Sequence, residues 1–146
     1  MANYRSIRIL SKEDAAYIAG LVDGEGTITL TRKHRNENRQ ICVAISSTER
    51  NMLEFVKSVT GVGKITSKKT TQDHHKTSYA YYVSNRQALG LIEQIFPYLR
   101  SYKKKRAALV LKDYLRLTPR NGKYTPGMTQ ERNAFIRSVL ALKANN

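Results

Sequence analysis

The stretch IAGLVDGEG, residues 18–26, lies where one periodicity gives way to another, and its reading decides the fold. On its N-terminal side, Ser11 with Asp14 three residues later is a helix N-cap signal with its partner. Ala15, Ala16, Ile18, Ala19, Leu21 and Val22 then predict a short helix rich in small side chains. Gly24 and Gly26 are expected to break it near Asp23, because glycine weakens a helix interior. From Thr27 the period becomes two, with Thr27, Thr29, Thr31 and Lys33 on one face and Ile28 and Leu30 on the other. Two carboxylates, Asp23 and Glu25, therefore sit among glycines at a helix–strand junction. On the helix itself, Ala16, Ala19 and Gly20 leave little side chain on one stripe, which allows another helix to approach closely.

Working outward, residues 33–39 (KHRNENR) read as a basic hairpin tip. The following strand sets Ile41, Val43 and Ile45 against Gln40, Cys42 and Ala44. Ser46, Ser47 and Thr48 offer N-caps to a helix carrying Met52, Leu53, Phe55, Val56 and Val59, which Gly61-Val62-Gly63 ends. Lys64, Thr66 and Lys68 alternate with Ile65 in a third strand, and residues 69–76 read as a polar loop. The fourth strand places Tyr79, Tyr81 and Val83 opposite Ser78, Ala80 and Tyr82. Ser84 and Gln87 form a second capping pattern before a helix with Leu89, Leu91, Ile92 and Ile95, closed by Pro97. After a basic segment, residues 107–117 predict an apolar helix, 118–127 (TPRNGKYTPG) a loop and 129–143 a last helix. The order αββαββα plus two helices predicts one α+β domain over residues 1–146, with a core at about 10–117. Its antiparallel sheet would bury one face under helices and present the other.

The chain holds 26 Lys+Arg against 11 Asp+Glu, a formal net charge of +15 over 146 residues. Such an excess favours a polyanionic partner, most simply nucleic acid. It is uneven: residues 1–30 carry three basic and four acidic side chains, and the whole excess lies beyond them. Carboxylates facing phosphate hinder simple binding, whereas a phosphodiester-cleaving site needs them to hold a hard cation. The N-terminus MANYRSIRIL lacks the apolar core of a secretory signal, and no apolar run approaches the ~20 residues of a bilayer span, so an intracellular, soluble protein is expected. Cys42 is the single cysteine, which excludes intrachain disulfides and Cys-based zinc sites. GVGK at residues 61–64 is no phosphate loop, since Ser58 and Ile65 stand where Gly and Ser/Thr are needed; His74 and His75 are adjacent and lack ligand spacing. Strand parity nominates Thr29, Thr31, Lys33, Gln40, Cys42, Ala44, Lys64, Thr66, Lys68, Ala80 and Tyr82 for contact with base edges. Arg32, Arg35, Arg39, Lys69, Arg120 and Lys123 are nominated for phosphates.

In IAGLVDGEG, Ala19, Gly20, Leu21, Asp23 and Gly26 match the name of the LAGLIDADG homing endonuclease family letter for letter, and Ile18, Val22, Gly24 and Glu25 are similar in character. The chain resembles the single-motif members of that family over about residues 10–117, including GVGKI after the second helix and PYLRSYKKKRAALVL near the end. The resemblance implies a homodimer with the motif helices at its centre, touching through Ala16, Ala19 and Gly20. It implies Mg²⁺-dependent cutting of both strands of a long, pseudo-palindromic DNA site, leaving 3′ overhangs, by an intron-encoded enzyme. The host compartment, bacterial cytoplasm, chloroplast or mitochondrion, stays open. Glu25 falls at the metal-binding carboxylate, where the family usually has Asp, and the Gly24 carbonyl aligns with a second oxygen ligand. Asp23 is expected to end or cap the helix. Ser47 aligns with a polar residue that orders water, with Ser46 as a one-residue alternative. Lys103, in the run Lys103-Lys104-Lys105-Arg106, aligns with a catalytic-site lysine, with Lys104 as the alternative. A maturase-like RNA-binding protein and a cleavage-dead DNA-binding regulator share the same implied fold.

Overall fold

The cap at Ser11 forms as its spacing implies: Ser11 Oγ accepts the Asp14 amide at 3.1 Å and starts α1 (Lys12–Glu25). In this computed structural model, which describes residues 6–68 and 77–144, α1 does not stop at Asp23. It runs two residues further, and the Gly26 N–H closes it on the Val22 carbonyl. Glycine is required at position 26 for space. A Cβ there would lie 2.7 Å from the Ala44 carbonyl oxygen and 2.8 Å from Val22 Cα. The helix end is thereby pressed against the sheet, with Glu25 at the seam. Both obstacles are backbone, so Gly26→Ala is expected to lower stability by about 1–3 kcal/mol in urea denaturation. An unchanged midpoint would show that the seam is looser than described.

After α1 come β1 (Gly26–Thr31), β2 (Gln40–Ser47), α2 (Arg50–Thr60), β3 (Lys64–Lys68), β4 (Ser78–Ser84) and α3 (Asn85–Ile95). A 3-10 turn (Phe96–Tyr98), α4 (Tyr102–Asp113) and α5 (Pro126–Ala141) follow. The sheet order is β1-β2-β4-β3, antiparallel throughout. Ile28, Leu30, Ile41, Val43, Ile45, Tyr81 and Val83 all point into one core with Ile18 and Val22 of α1, Leu53 and Val56 of α2, and Leu91 and Ile92 of α3. Helices α1, α2 and α3 pack on this face of the sheet, and α4 and α5 close against β1. Tyr81 carries a polar group into this core. Its hydroxyl donates to the Val62 carbonyl at 2.9 Å and meets Thr60 Oγ1 at 3.1 Å, so no polar group is orphaned there. Gly63 (φ 95°) bends the chain over this ring, where a Cβ would overlap it.

Four local expectations need correction. Glu49, not Ser46, Ser47 or Thr48, is the α2 N-cap, and no side chain accepts a cap hydrogen bond there. Ser84 is the α3 N-cap residue, but its side chain accepts no cap hydrogen bond either; Asn85, at φ 55°, turns the chain instead. α4 begins at Tyr102, so the basic run lies inside the helix, not before it. α5 begins at Pro126, three residues earlier than expected, because Thr125 Oγ1 accepts the Met128 amide at 3.1 Å and proline suits the first helical position. Among the described residues no helix is long and apolar enough to cross a membrane. Lys69, His74 and His75 lie outside the described residues.

Candidate functional site

The polar face of the sheet is built in cross-strand rows. Thr31 pairs with Gln40; Thr29, Cys42 and Ser84 form the next row; Thr27, Ala44, Tyr82 and Lys64 the next; Ser46, Ala80 and Thr66 the next; and Ser78 with Lys68 the last. Thr29, Thr31, Gln40, Ala44, Lys64, Thr66, Lys68, Ala80 and Tyr82 thus share one face, as the alternation predicts. Two nominated residues do not behave as expected. Lys33 lies beyond the end of β1, in the hairpin tip. Cys42 has the right parity but is only 7% exposed, in the strand between two neighbours, and can offer little to a ligand. Burial pushes its thiol up, with a hydrogen bond to Thr31 opposing. Ser84, which its sequence context marks only as a cap, is exposed on the same row and joins the face.

Of the basic residues nominated for phosphates, two guanidinium groups are partly engaged by backbone. Arg32 donates to the Arg35 carbonyl at 3.2 Å, folding the hairpin tip on itself, and Arg39 donates to the Leu30 carbonyl at 3.0 Å. Arg35, Arg120 and Lys123 are exposed.

At the α1 end of this face lies the acidic junction. Asp23 is structural, but it caps a different helix from the one expected. Its Oδ2 accepts the Arg100 amide at 2.8 Å, and its Oδ1 accepts the Ser101 amide at 3.1 Å and the Ser101 hydroxyl at 2.5 Å. Ser101 in turn caps α4 through the Lys103 amide. Burial alone would raise the Asp23 carboxyl. The Ser101 hydroxyl, the two amides and the Lys103 charge outweigh it and hold the group below the usual 3.8. A carboxyl depressed in the folded state stabilises the fold above its unfolded value, and that stability is lost as pH falls through the folded value. Asp23→Asn is therefore expected to cost about 1–2 kcal/mol at pH 7 and to lose less further stability than the parent between about pH 5 and pH 2. Urea midpoints across that range measure both, and parallel acid curves would refute the assignment.

Lys103, only 8% exposed, reaches back 80 residues to the same junction. Its Nζ donates to the Val22 and Asp23 carbonyls, both at 2.9 Å. These are carbonyls of the last helical turn, where the helix dipole is negative and donors are short. Burial lowers the Lys103 ammonium and the nearby Arg106 charge adds to this, while Asp23 and Glu25 pull it back up. Lys103 is thus brought within electrostatic reach of Glu25. Lys104 is not: its Nζ lies over the Phe96 ring, 5.1 Å from the centroid. The basic run is also less solvated than it reads, because Arg106 is buried too and donates to the Ile28 carbonyl at 2.9 Å and the Leu142 carbonyl at 2.9 Å.

Glu25 is exposed at the helix end, beside Gly24, whose carbonyl has no amide four residues on within the helix to accept. Ser47 is not brought to this point. It shares the parity of the core residues Val43 and Ile45, and its Oγ accepts the Glu49 amide at 2.9 Å, ordering the turn into α2. Ser46 is exposed on the polar face, one register step from the Gly26–Ile45 pair that follows Glu25. Parity therefore exchanges the two serines.

The small-residue stripe is corrected in the same way. Ala19 is fully buried in the chain's own core, on the stripe of Ala15, Ile18 and Val22. The outward stripe is Ala16, Gly20 and Gly24, at spacing four, and a Cβ at Gly20 or Gly24 would meet nothing within 4 Å.

Comparison with known proteins adds the family. No curated protein sequence matches the chain. Solved structures do. The homing endonuclease I-CvuI, in complex with its target in the presence of 2 mM Ca, superposes with a TM-score of 0.73 at 20% identity, covering 92% of this chain and 85% of that one. The archaeal intron-encoded homing endonuclease I-Vdi141I, complexed with DNA, gives 0.60 at 15% identity, over 92% and 86%. The LAGLIDADG homing endonuclease I-SmaMI, bound to cleaved DNA, gives 0.62 at 21% identity, covering 97% of this chain and only 47% of that one. These likenesses establish the shared fold. With residues 12–96 matched by the profile of the LAGLIDADG-like domain, more than half of its length, the chain belongs to the LAGLIDADG family.

Proposed function

We propose that two copies of this chain form a sequence-specific DNA endonuclease that hydrolyses one phosphodiester bond in each strand of a long, pseudo-palindromic site. The observation that carries this reading is the placement of an exposed Glu25 at the edge of a polar, cation-flanked sheet face, with the Lys103 ammonium held on the Val22 and Asp23 carbonyls of the same helix end. One chain supplies one such carboxylate, and a duplex has two strands to cut. The 47% coverage of I-SmaMI, about half of a longer chain, supports the same arithmetic of two units per duplex.

The donor set suits Mg²⁺ or Ca²⁺: the Glu25 carboxylate and the Gly24 carbonyl are hard oxygens side by side. Among the described residues no three His, Cys, Asp or Glu side chains gather into a closed metal site. The remaining positions would thus fall to phosphate, water and the second copy. A bound divalent cation would supply charge stabilisation at the scissile phosphate and acidify water. Glu25 and Gly24 would hold it; Lys103, two of whose three donors are spent on α1 carbonyls, would offset negative charge at the helix end and fix the junction. Ser46 is the polar side chain positioned to order solvent nearby. The rows from Thr27 to Lys68 would read base edges, and Arg35, Arg120 and Lys123 would contact phosphates. Cutting across the minor groove to leave 3′ overhangs, and an origin in a mobile intron, complete the reading; I-Vdi141I is itself intron-encoded.

The test is incubation of the protein and Mg²⁺ with a plasmid library of randomised sites, followed by sequencing of cut ends. Enrichment of one pseudo-palindromic sequence with 3′-extended ends is expected. Absence of cutting at any sequence, with binding retained, would leave a DNA-binding protein without nuclease activity.

A further inference from the structure

Two helix ends of opposite polarity meet at the acidic junction. The C-terminus of α1 presents unspent carbonyls and partial negative charge, and the N-terminus of α4 presents unspent amides and partial positive charge. Each end is capped by a side chain from the other. From α1, the Asp23 carboxylate accepts the Arg100 and Ser101 amides at 2.8 and 3.1 Å. From the first turn of α4, the Lys103 ammonium donates to the Val22 and Asp23 carbonyls, both at 2.9 Å. Each helix end is thus completed by residues 77 to 81 positions away.

Ser101 belongs to both halves of this exchange. A serine hydroxyl has one hydrogen to give and two lone pairs to receive. Ser101 Oγ gives its hydrogen to Asp23 Oδ1 at 2.5 Å and accepts the Lys103 amide at 3.2 Å. One oxygen atom thereby joins the Asp23 carboxylate to the backbone of Lys103, whose ammonium returns to the Asp23 carbonyl. The contacts close a ring. Just beyond the ring lie Gly24 and Glu25, both exposed; Gly24 has no side chain, and a Cβ there would meet nothing within 4 Å. The two residues are therefore held from their flanks, by the Gly26 seam on one side and by the ring through Asp23 on the other. The Val22 carbonyl serves both flanks, since it accepts the Gly26 amide and the Lys103 ammonium. Without the ring, the last turn of α1 is free to fray as helix ends do.

We infer that Ser101 is a positioning residue for the Gly24–Glu25 oxygen pair: its hydroxyl locks the last turn of α1 onto α4 and so sets where a divalent cation is held. The inference rests on the reading above of Glu25 and Gly24 as the metal donors. Ser101 touches neither of them and acts through Asp23 and Lys103. A reaction centre tolerates little slack, since a displacement of about 1 Å can cost about a hundredfold in rate. Threonine at position 101 keeps the hydroxyl and its cap, whereas alanine leaves the Arg100 and Ser101 amide contacts in place and removes only the link.

The experiment compares the parent with Ser101→Ala, Ser101→Thr and Thr125→Ala. Thr125 Oγ1 caps α5 through the Met128 amide at 3.1 Å, so its removal is a cap loss of the same kind on a different helix. The first readout is amide hydrogen exchange without DNA or divalent cations. In Ser101→Ala the Gly26 and Arg100 amides are expected to exchange about tenfold faster, with a much smaller rise at Val43 and Val83 in the middle of the sheet. Ser101→Thr should keep the parent rates. The second readout is the rate of cutting of a selected site at saturating DNA across Mg²⁺ concentrations. Ser101→Ala is expected to need about tenfold more Mg²⁺ for half its maximal rate and to cut about tenfold to a hundredfold slower at saturation, with DNA affinity within about twofold of the parent. Ser101→Thr should restore both, and Thr125→Ala should leave the Mg²⁺ requirement unchanged. Exchange that rises as much at Val43 and Val83 as at Gly26 would show a general loss of stability and overturn the positioning role. An unchanged Mg²⁺ requirement in Ser101→Ala, or an equal shift in Thr125→Ala, would overturn it as well. A parent that cuts no site, with the Gly26 amide still responding to Ser101→Ala alone, upholds the lock and overturns the nuclease reading instead.

Discussion

Glu25→Gln is expected to slow double-strand cutting by about a thousandfold or more, while affinity for the same DNA stays within a few-fold of the parent. The substitution keeps size and one carbonyl oxygen but removes the negative charge that a hard divalent cation requires. A thousandfold loss corresponds to about 4 kcal/mol of transition-state stabilisation, the scale expected when a metal's charge is displaced from the scissile phosphate. Glu25 is exposed, so the loss should not pass through folding, and thermal midpoints of parent and variant should coincide. Binding should hold or strengthen slightly, since a carboxylate facing phosphate is repulsive in the absence of metal. Glu25→Asp is the informative companion. Shortening by one methylene moves the oxygens toward the helix, to the length the family usually shows, and cutting should persist within about tenfold on a scale where about 1.36 kcal/mol is a decade. If the Glu25→Gln protein cut as fast as the parent, the metal would have to be held elsewhere and the proposed reaction centre would fall.

Strand parity was readable because alternation survives every detail of packing: Thr29, Ala44, Thr66 and Tyr82 share a face whatever the helices do. Helix ends were not, because distant residues set them. α1 passes Asp23 through a glycine, and its final carbonyls are satisfied by Lys103, brought from 80 residues away. α4 starts just ahead of the lysine run, and takes that run into its first turns, because Asp23 and Ser101 cap it, an interaction between positions 78 apart. α1 also has two stripes of small residues, and only packing decides that Ala19 faces inward while Ala16 and Gly20 face out. The Thr125-Pro126 start of α5 was legible in principle, since a capping threonine followed by proline is a helix-start signal. The burial of Arg106 and Arg132 was not: in sequence an arginine on a helix, alone or in a basic run, reads as surface charge, and only the fold brings backbone carbonyls to its donors.

Gly20→Leu is expected to separate the dimer while leaving the protomer intact, and so to abolish double-strand cutting. In one chain, a Cβ at Gly20 meets nothing within 4 Å, and the residue is exposed. Replacing glycine inside a helix should, if anything, stabilise the monomer, by a few tenths to about 1 kcal/mol. Ala16, Gly20 and Gly24 offer a flat stripe at spacing four, flanked by a shoulder in which the Tyr17 and Phe55 rings meet edge-on with centroids 5.5 Å apart. Two such stripes can approach closer than the usual ~8–10 Å between helix axes. A leucine at the centre of each pushes them apart twice over, because a two-fold interface presents the same residue from both sides. The dimer dissociation constant should rise by at least about a hundredfold, or ~2.8 kcal/mol. Light scattering after size exclusion should then report the 16.6 kDa chain in place of a species of twice that mass. Circular dichroism and the thermal midpoint at high protein concentration distinguish separation from unfolding, and Gly20→Ala, which adds one methyl group, should retain most of the dimer. Because each chain carries one Glu25, a separated protomer has at most one reaction centre to bring to a duplex; residual activity should therefore appear as single-strand nicks and not as double-strand breaks. A Gly20→Leu protein that stays dimeric and cuts both strands would place the interface on another surface of the fold.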